Sequence, residues 1–191
     1  MIEIRWEARA GQGAKTASQL LAMAVLASGR RAQSFPEYGP ERRGAPMRAF
    51  TRLDDRPIRR HNAVEHPQVV VVLDASLLHS PKTWSGLGRE GTLLVNSEVS
   101  SEQLSREFGL TMRVRSLPAS RLGAEAGSSS SNMVMLGALA AGLAEPDLEQ
   151  LQQAAAQVLG PKLGPTGRVG LSRAIADGYH LLSQEATPWA S

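Results

Sequence analysis

The chain has 191 residues, 42% hydrophobic and 20% charged, with a formal net charge of +3 at neutral pH; this suits one ordinary globular domain with a sizeable core. It contains no cysteine, which excludes disulfides, thiolate nucleophiles, zinc–thiolate sites and iron–sulfur ligation by this polypeptide. No stretch approaches the roughly 20 apolar residues a membrane span needs, and the start, residues 1–6, has neither a signal-peptide core nor a transit-peptide profile, so the expected compartment is the cytoplasm.

Residues 2–8 alternate apolar and polar and predict a first strand. Gly11 and Gly13 break it, and residues 16–27 then read as a helix with Ala17, Leu20, Leu21, Ala24 and Val25 on one face and Gly29 past its end. A short strand is expected at 32–35 and another at 47–53, closed by Asp54-Asp55-Arg56-Pro57. The continuous β-branched run at 69–73 is typical of a strand buried on both faces of a parallel sheet. Residues 92–95 and, more weakly, 112–117 predict two further strands, with helices expected between them at 75–86 and at 100–108, the latter N-capped by Ser100. This rhythm predicts a three-layer α/β/α open sheet, mostly parallel and Rossmann-like. After Pro118 the pattern becomes helical. The run 133–143 has candidate caps among residues 128–132, Pro146 is placed in the first turn of the next helix, and a last helix at 168–184 is expected to dock on the sheet.

Arginine clusters at positions 30, 31, 42, 43, 48, 52, 56, 59 and 60, opposed by Glu37, Glu41, Asp54 and Asp55. Guanidinium groups suit planar, bidentate contacts to carboxylate or phosphate. Residues 33–47 combine three prolines, two glycines, Phe35, Tyr38 and the Arg42-Arg43 pair. That is far more backbone stiffness than a simple strand connection requires, and it reads as a shaped surface for a partner or an anionic ligand. Phe35 and Tyr38 could stack on an adenine, but a subunit interface is the favoured reading.

Gly11-Gln12-Gly13-Ala14-Lys15-Thr16 stands at a strand-to-helix junction, where free backbone N–H groups form an anion site. It is not a P-loop, because Arg9 and Ala14 occupy the positions where that motif needs glycine. Nor is it a dinucleotide fingerprint, because Thr16 takes the place of the third glycine. Two readings remain: a tight turn for helix packing, or an anion cradle using Gly11, Gly13, Lys15 and Thr16.

Residues 5–17, the loop 34–46 and Leu73-Asp74-Ala75-Ser76-Leu77 occur in that order, followed by Asn132 and Met133-Val134-Met135-Leu136-Gly137. The combination resembles the gamma subunit, or gamma-like domain, of 2-oxoacid:ferredoxin oxidoreductases, pyruvate synthase in particular, over about residues 2–180; the domain is set at 2–185. The resemblance implies a subunit that is inactive alone. In such complexes thiamine diphosphate lies between alpha and beta polypeptides, and [4Fe-4S] clusters lie in beta or delta polypeptides. The complex decarboxylates a 2-oxoacid such as pyruvate oxidatively, passes electrons to ferredoxin and transfers the acyl group to coenzyme A. The resemblance associates the gamma domain with assembly and with the coenzyme A end of the reaction. Arg9, Gly11, Gln12, Gly13, Lys15, Thr16, Arg42 and Arg43 are the residues nominated for coenzyme A. No catalytic or metal-binding residue is assigned to this chain. Ala8 and Ala10 stand where relatives often carry glycine.

His61 and His66 flank Glu65 without helical metal-ligand spacing and read as solvated loop residues. Asp74 and Asn96 each end a strand and are expected to cap the segment that follows. No serine nucleophile elbow is present. A nucleic-acid binder would need a recognisable module or interleaved aromatics, and neither is present; no membrane partner is expected.

Overall fold

The computed structural model describes residues 1–37, 44–128, 130–143 and 145–183. β1 (Ile2–Arg9) lies inside a six-stranded sheet of order β2-β3-β1-β4-β5-β6, with β2 (Arg31–Glu37), β3 (Pro46–Asp54), β4 (Val69–Val72), β5 (Thr92–Asn96) and β6 (Arg113–Leu117). β1, β4, β5 and β6 pair in parallel, whereas β3 is antiparallel to both β1 and β2. The parallel Rossmann-like half is therefore extended by an antiparallel β2–β3 hairpin, and the sheet is mixed. Pro36 is tolerated inside β2 because that strand is an edge and needs no outward donor.

α1 (Ala14–Ala27), α4 (Ser131–Ala141), α5 (Leu148–Leu159) and α6 (Pro165–Ser183) form the layer on one face, joined by the short α3 (Ala119–Glu125). Ile4, Trp6 and Ala8 of β1 point into this layer with Val69, Val71, Leu94 and Leu117. On the opposite face, Val70, Val72, Leu93, Val95 and Val114 pack against Leu77, Leu78, Leu87 and α2 (Ser101–Phe108) through Leu104. The capping box on α2 is closed by Ser100 and Gln103, as the sequence predicts for Ser100.

Four local expectations are corrected. Residues 75–86 do not form an α-helix but two 3-10 turns, Ala75–His79 and Pro81–Thr83; Pro81 forces Ser80 into an extended conformation, which ends the first turn. α4 carries no side-chain cap, despite the serines before it. The cap of α5 is Asp147, boxed with Gln150, so Pro146 lies just ahead of the helix. α6 begins at Pro165 and packs chiefly on α4 rather than on the sheet. α4 is buried from Asn132 to Ala140, as expected of a helix with other elements on all sides. Its contact with α6 is backbone to backbone: a Cβ on Gly178 would strike the Val134 carbonyl, and one on Gly137 the Ile175 carbonyl. Among the described residues no helix is long and apolar enough to cross a membrane.

Among the described residues no α-helix covers the other face of β1, β3 and β2, which is charged; the Pro81–Thr83 turn and the segment at 60–62 lie against it. Glu3 stands opposite Arg52 and Glu7 opposite Arg48 in the β1–β3 register. Arg52 Nε donates to Glu3 at 2.7 Å, and Arg48 Nε to Glu7 at 2.8 Å. The hydrophobic alternation of β1 and this ladder of ion pairs specify the same register.

Candidate functional site

The carboxyl ends of β1 and β4 are neighbours, and the chain leaves β1 towards the hairpin but builds β4, β5 and β6 on the other side. Such a switch point is where open α/β sheets place ligands. The turn after β1 uses Gly11 and Gly13, both at positive φ (98° and 80°), to reverse the chain into α1. Gly13 is the helix N-cap and has no side chain to accept from the first turn. The N–H groups of Ala14, Lys15 and Thr16 consequently have no intrahelical acceptor. Lys15 projects into solvent and Thr16 is half-buried.

A second helix end meets the first. Asn132, in the first turn of α4, is buried and donates Nδ2 to the Gly13 carbonyl at 3.1 Å. A Cβ on Gly13 would collide with that amide, so both the positive φ and the close approach require glycine. Neither α1 nor α4 has an acidic residue in its first turn or a side-chain cap. Two positive dipole ends therefore converge on one spot with no carboxylate of their own.

Beside it lies a self-contained polar latch. Asp74, the residue after β4 and Leu73, accepts from Arg9 Nε (3.0 Å), Gln12 Nε2 (3.1 Å), Ser76 N (3.0 Å) and the Ser76 hydroxyl (2.6 Å). Gln12 Oε1 in turn accepts from the Arg9 backbone N–H at 2.7 Å. Arg9 completes its fork with Ser76 Oγ and the Gly44 carbonyl, at 2.8 and 3.2 Å. Burial pushes the Asp74 carboxyl up, but the Ser76 hydroxyl and N–H, Gln12 and the Arg9 charge outweigh it and hold the group below its ordinary value. Asp74 caps the following segment as expected, though the segment is a 3-10 turn. Asn96 does something else: it donates to the Leu73 carbonyl and to Ser120 Oγ, and accepts from Ser120 N, so it ties β4 to α3 across the sheet.

The structure thus brings Arg9, Gly11, Gln12, Gly13, Lys15 and Thr16 together at one end of the sheet. Arg9 and Gln12 are committed to internal bonds, while among the described residues Lys15 and the α1 N–H groups have none. Arg42, Arg43, Glu41 and Tyr38 lie outside the described residues. Phe35 packs on Phe50 (5.1 Å between centroids) beneath the Arg52 guanidinium (5.2 Å), inside this chain. His79 stacks edge-on against Phe108 at 5.3 Å. Among the described residues no cluster of histidine, aspartate and glutamate has metal-binding geometry. No local signal in the sequence marks the meeting of α1 and α4, because Asn132 is 119 positions from Gly13.

The sequence profile of the pyruvate ferredoxin/flavodoxin oxidoreductase family matches residues 3–170. The chain belongs to that family. Within it the chain is of the gamma, or PorC, type. It is 43% identical over 178 residues to the pyruvate synthase subunit PorC of Thermotoga maritima, covering 93% of this chain and 92% of that one. It is 40% identical over 177 residues to the common gamma subunit of the pyruvate/ketoisovalerate oxidoreductases of Thermococcus kodakarensis, covering 86% and 90%. The crystal structure of the T. maritima PorC subunit superposes with a TM-score of 0.80, at 39% identity and over 94% of this chain and 95% of that one. The same fold recurs at 17% identity, with a TM-score of 0.78, in the 2-oxoglutarate:ferredoxin oxidoreductase of Magnetococcus marinus. This gamma-type chain spans 98% of its own length there, but only 32% of that longer polypeptide.

Proposed function

We propose that this chain is the gamma subunit of a thiamine-diphosphate-dependent 2-oxoacid:ferredoxin oxidoreductase, and that it supplies part of the coenzyme A site as well as assembly contacts. Partner alpha, beta and delta-type polypeptides hold thiamine diphosphate and the [4Fe-4S] clusters. This chain, lacking cysteine, offers the clusters no thiolate. The complex would decarboxylate pyruvate or a related 2-oxoacid, reduce ferredoxin and form the acyl thioester of coenzyme A.

The convergence of the α1 and α4 N-termini at Gly13 and Asn132, with Lys15 exposed beside them, carries the coenzyme A reading. Coenzyme A presents a pyrophosphate and a 3′-phosphate, and unpaired helix N–H groups with a nearby ammonium bind such groups. The Magnetococcus enzyme of the same fold is described with coenzyme A and succinyl-CoA bound. Gly11 and Gly13 shape the turn, and Arg9 and Gln12 hold it against Asp74. Arg42 and Arg43, which precede Gly44 in the sequence, are the remaining candidates for phosphate contact.

A second reading, a docking subunit with no cofactor contact, is favoured by the internal commitment of Arg9 and Gln12. Lys15→Ala in the assembled complex separates the two. Loss of one charge-assisted contact of about 1.5 kcal/mol raises the KM for coenzyme A roughly tenfold, with the KM for the 2-oxoacid unchanged. An unaltered coenzyme A KM, with an intact complex, leaves the docking reading.

A further inference from the structure

Several arginines of the 30–60 window are gathered at the corner of the sheet far from the glycine turn. Arg31 opens β2 and stands opposite Asp54 in the register with β3, and Arg56, Arg59 and Arg60 follow on the segment that leaves β3. That segment is pinned rather than free. Arg52, with no exposed surface, donates Nη1 to the Arg60 carbonyl at 3.2 Å and Nη2 to the Asn62 carbonyl at 2.7 Å. His61 Nδ1 lies 3.2 Å from Gln33 Nε2, and Val64 is buried just beyond. A buried guanidinium therefore holds the backbone that displays the exposed ones.

The carboxylates nearby are already committed. Asp54 binds the Met1 ammonium and the Arg56 N–H, Asp55 binds Arg30, and Glu3 binds Arg52. Arg31, Arg56, Arg59 and Arg60 are exposed, and their side chains have no partner among the described residues. Against them on the same loop stands Glu65. Four arginines without a partner among the described residues against one glutamate leave this corner a balance of +3.

We infer that this pinned arginine corner is a docking surface for a carboxylate-rich face of another polypeptide of the same complex. The inference rests on the reading of this chain as a complex subunit. A second copy of the chain is disfavoured, because a two-fold contact would set like charges against each other. Nucleic acid is disfavoured because residues 54–66 contain no phenylalanine, tyrosine or tryptophan on which a base could stack. Guanidinium forks on an immobilised backbone match carboxylates bidentately and steer association.

The test uses the complex itself, with the chain tagged and co-expressed with the polypeptides encoded beside it. The triple variant R56E/R59E/R60E should bind those polypeptides at least about tenfold more weakly than wild type in 0.1 M salt, and added salt should narrow the difference. R56K/R59K/R60K keeps the charge and should fall between the two. Equal thermal melting of the purified wild-type and triple-variant chains shows that the fold is retained. If the wild type assembles and the folded triple variant assembles equally well, the docking surface is refuted while the subunit reading stands. If the wild type does not assemble with those polypeptides, both fail. A 30-base-pair duplex that binds the wild-type chain and displaces the other polypeptides would overturn the protein partner in favour of nucleic acid. Self-association of the wild type that the triple variant abolishes would overturn it in favour of a second copy.

Discussion

Replacing Asp74 with alanine tests whether the Arg9–Gln12–Asp74 latch holds the glycine turn. The mutation removes the acceptor for Arg9 Nε, Gln12 Nε2, Ser76 N and Ser76 Oγ together. The Arg9 side chain is 39% exposed, so its ion pair contributes well under 1 kcal/mol, and it can rehydrate when freed. The cap on Ser76 contributes about 1 kcal/mol and the Gln12 bond about 0.5–1 kcal/mol. The loss should total about 2 kcal/mol, which for a domain of this size lowers Tm by roughly 4–8 °C. Asp74→Asn keeps an acceptor for the cap and should lose about half as much. The sign with pH follows from the depressed carboxyl. Its contribution is present above the unfolded aspartate value and is lost as pH falls through the lower folded value. Thermal and urea unfolding at pH 7 and near pH 3 measure both effects. If Asp74→Ala stays within about 0.5 kcal/mol of wild type at pH 7, or its deficit is undiminished in acid, the latch is not what holds the turn.

Gly178→Ala places a methyl against the Val134 carbonyl, where no side chain can give way, so α4 and α6 must separate. Overpacking of this kind costs about 1–3 kcal/mol, read as a lower urea midpoint at unchanged m; an unchanged midpoint would mean the helices are not in backbone contact. Glu7 is 4% exposed, and burial outweighs the attraction of Arg48 and Arg5 and lifts its carboxyl to about 7. Because the folded value is raised, its favourable contribution is complete below the unfolded value and is lost as pH rises towards 7. Glu7→Gln should therefore flatten the fall in Tm between about pH 4.5 and 7, and a slope identical to wild type would contradict the assignment.

The strands were legible because both of their periodicities leave marks in the sequence. β1 and β3 alternate, and β4 is uninterrupted valine. The misread span at 75–86 is instructive: its composition suits a helix, but one proline at 81 outweighs the summed propensity of its neighbours. α3 is not legible in the sequence, because its seven residues have too little pattern to stand out from a loop. Gly137 and Gly178 weaken a helix by propensity, and nothing local shows that each faces the other helix's backbone. At the site, residue type and position were legible but allegiance was not. Arg9 and Gln12 have the chemistry of ligand-binding groups, yet their partner is Asp74, more than 60 positions away.

The charged half of the sheet, which no α-helix among the described residues covers, explains why arginines recur along β1 and β3. A helix over β1, β3 and β2 would have demanded apolar side chains at positions 3, 5, 7, 48 and 52; the chain instead carries Glu3, Arg5, Glu7, Arg48 and Arg52 there. Buried charge is tolerated only when paired. Arg5 shows the strain of that demand: Nη2 reaches the Thr83 carbonyl at 2.9 Å, while Nε, 2.9 Å from Glu7, makes no aligned hydrogen bond. Pairing across β1 and β3 fixes the hairpin's register without a covering α-helix among the described residues. The same pairing consumes the carboxylates, so the arginines beyond the ladder, from Arg56 to Arg60, are left exposed and without an acceptor among the described residues. The register device on the sheet and the cationic corner at its edge are thus two consequences of one choice, a charged face where a helix would otherwise lie.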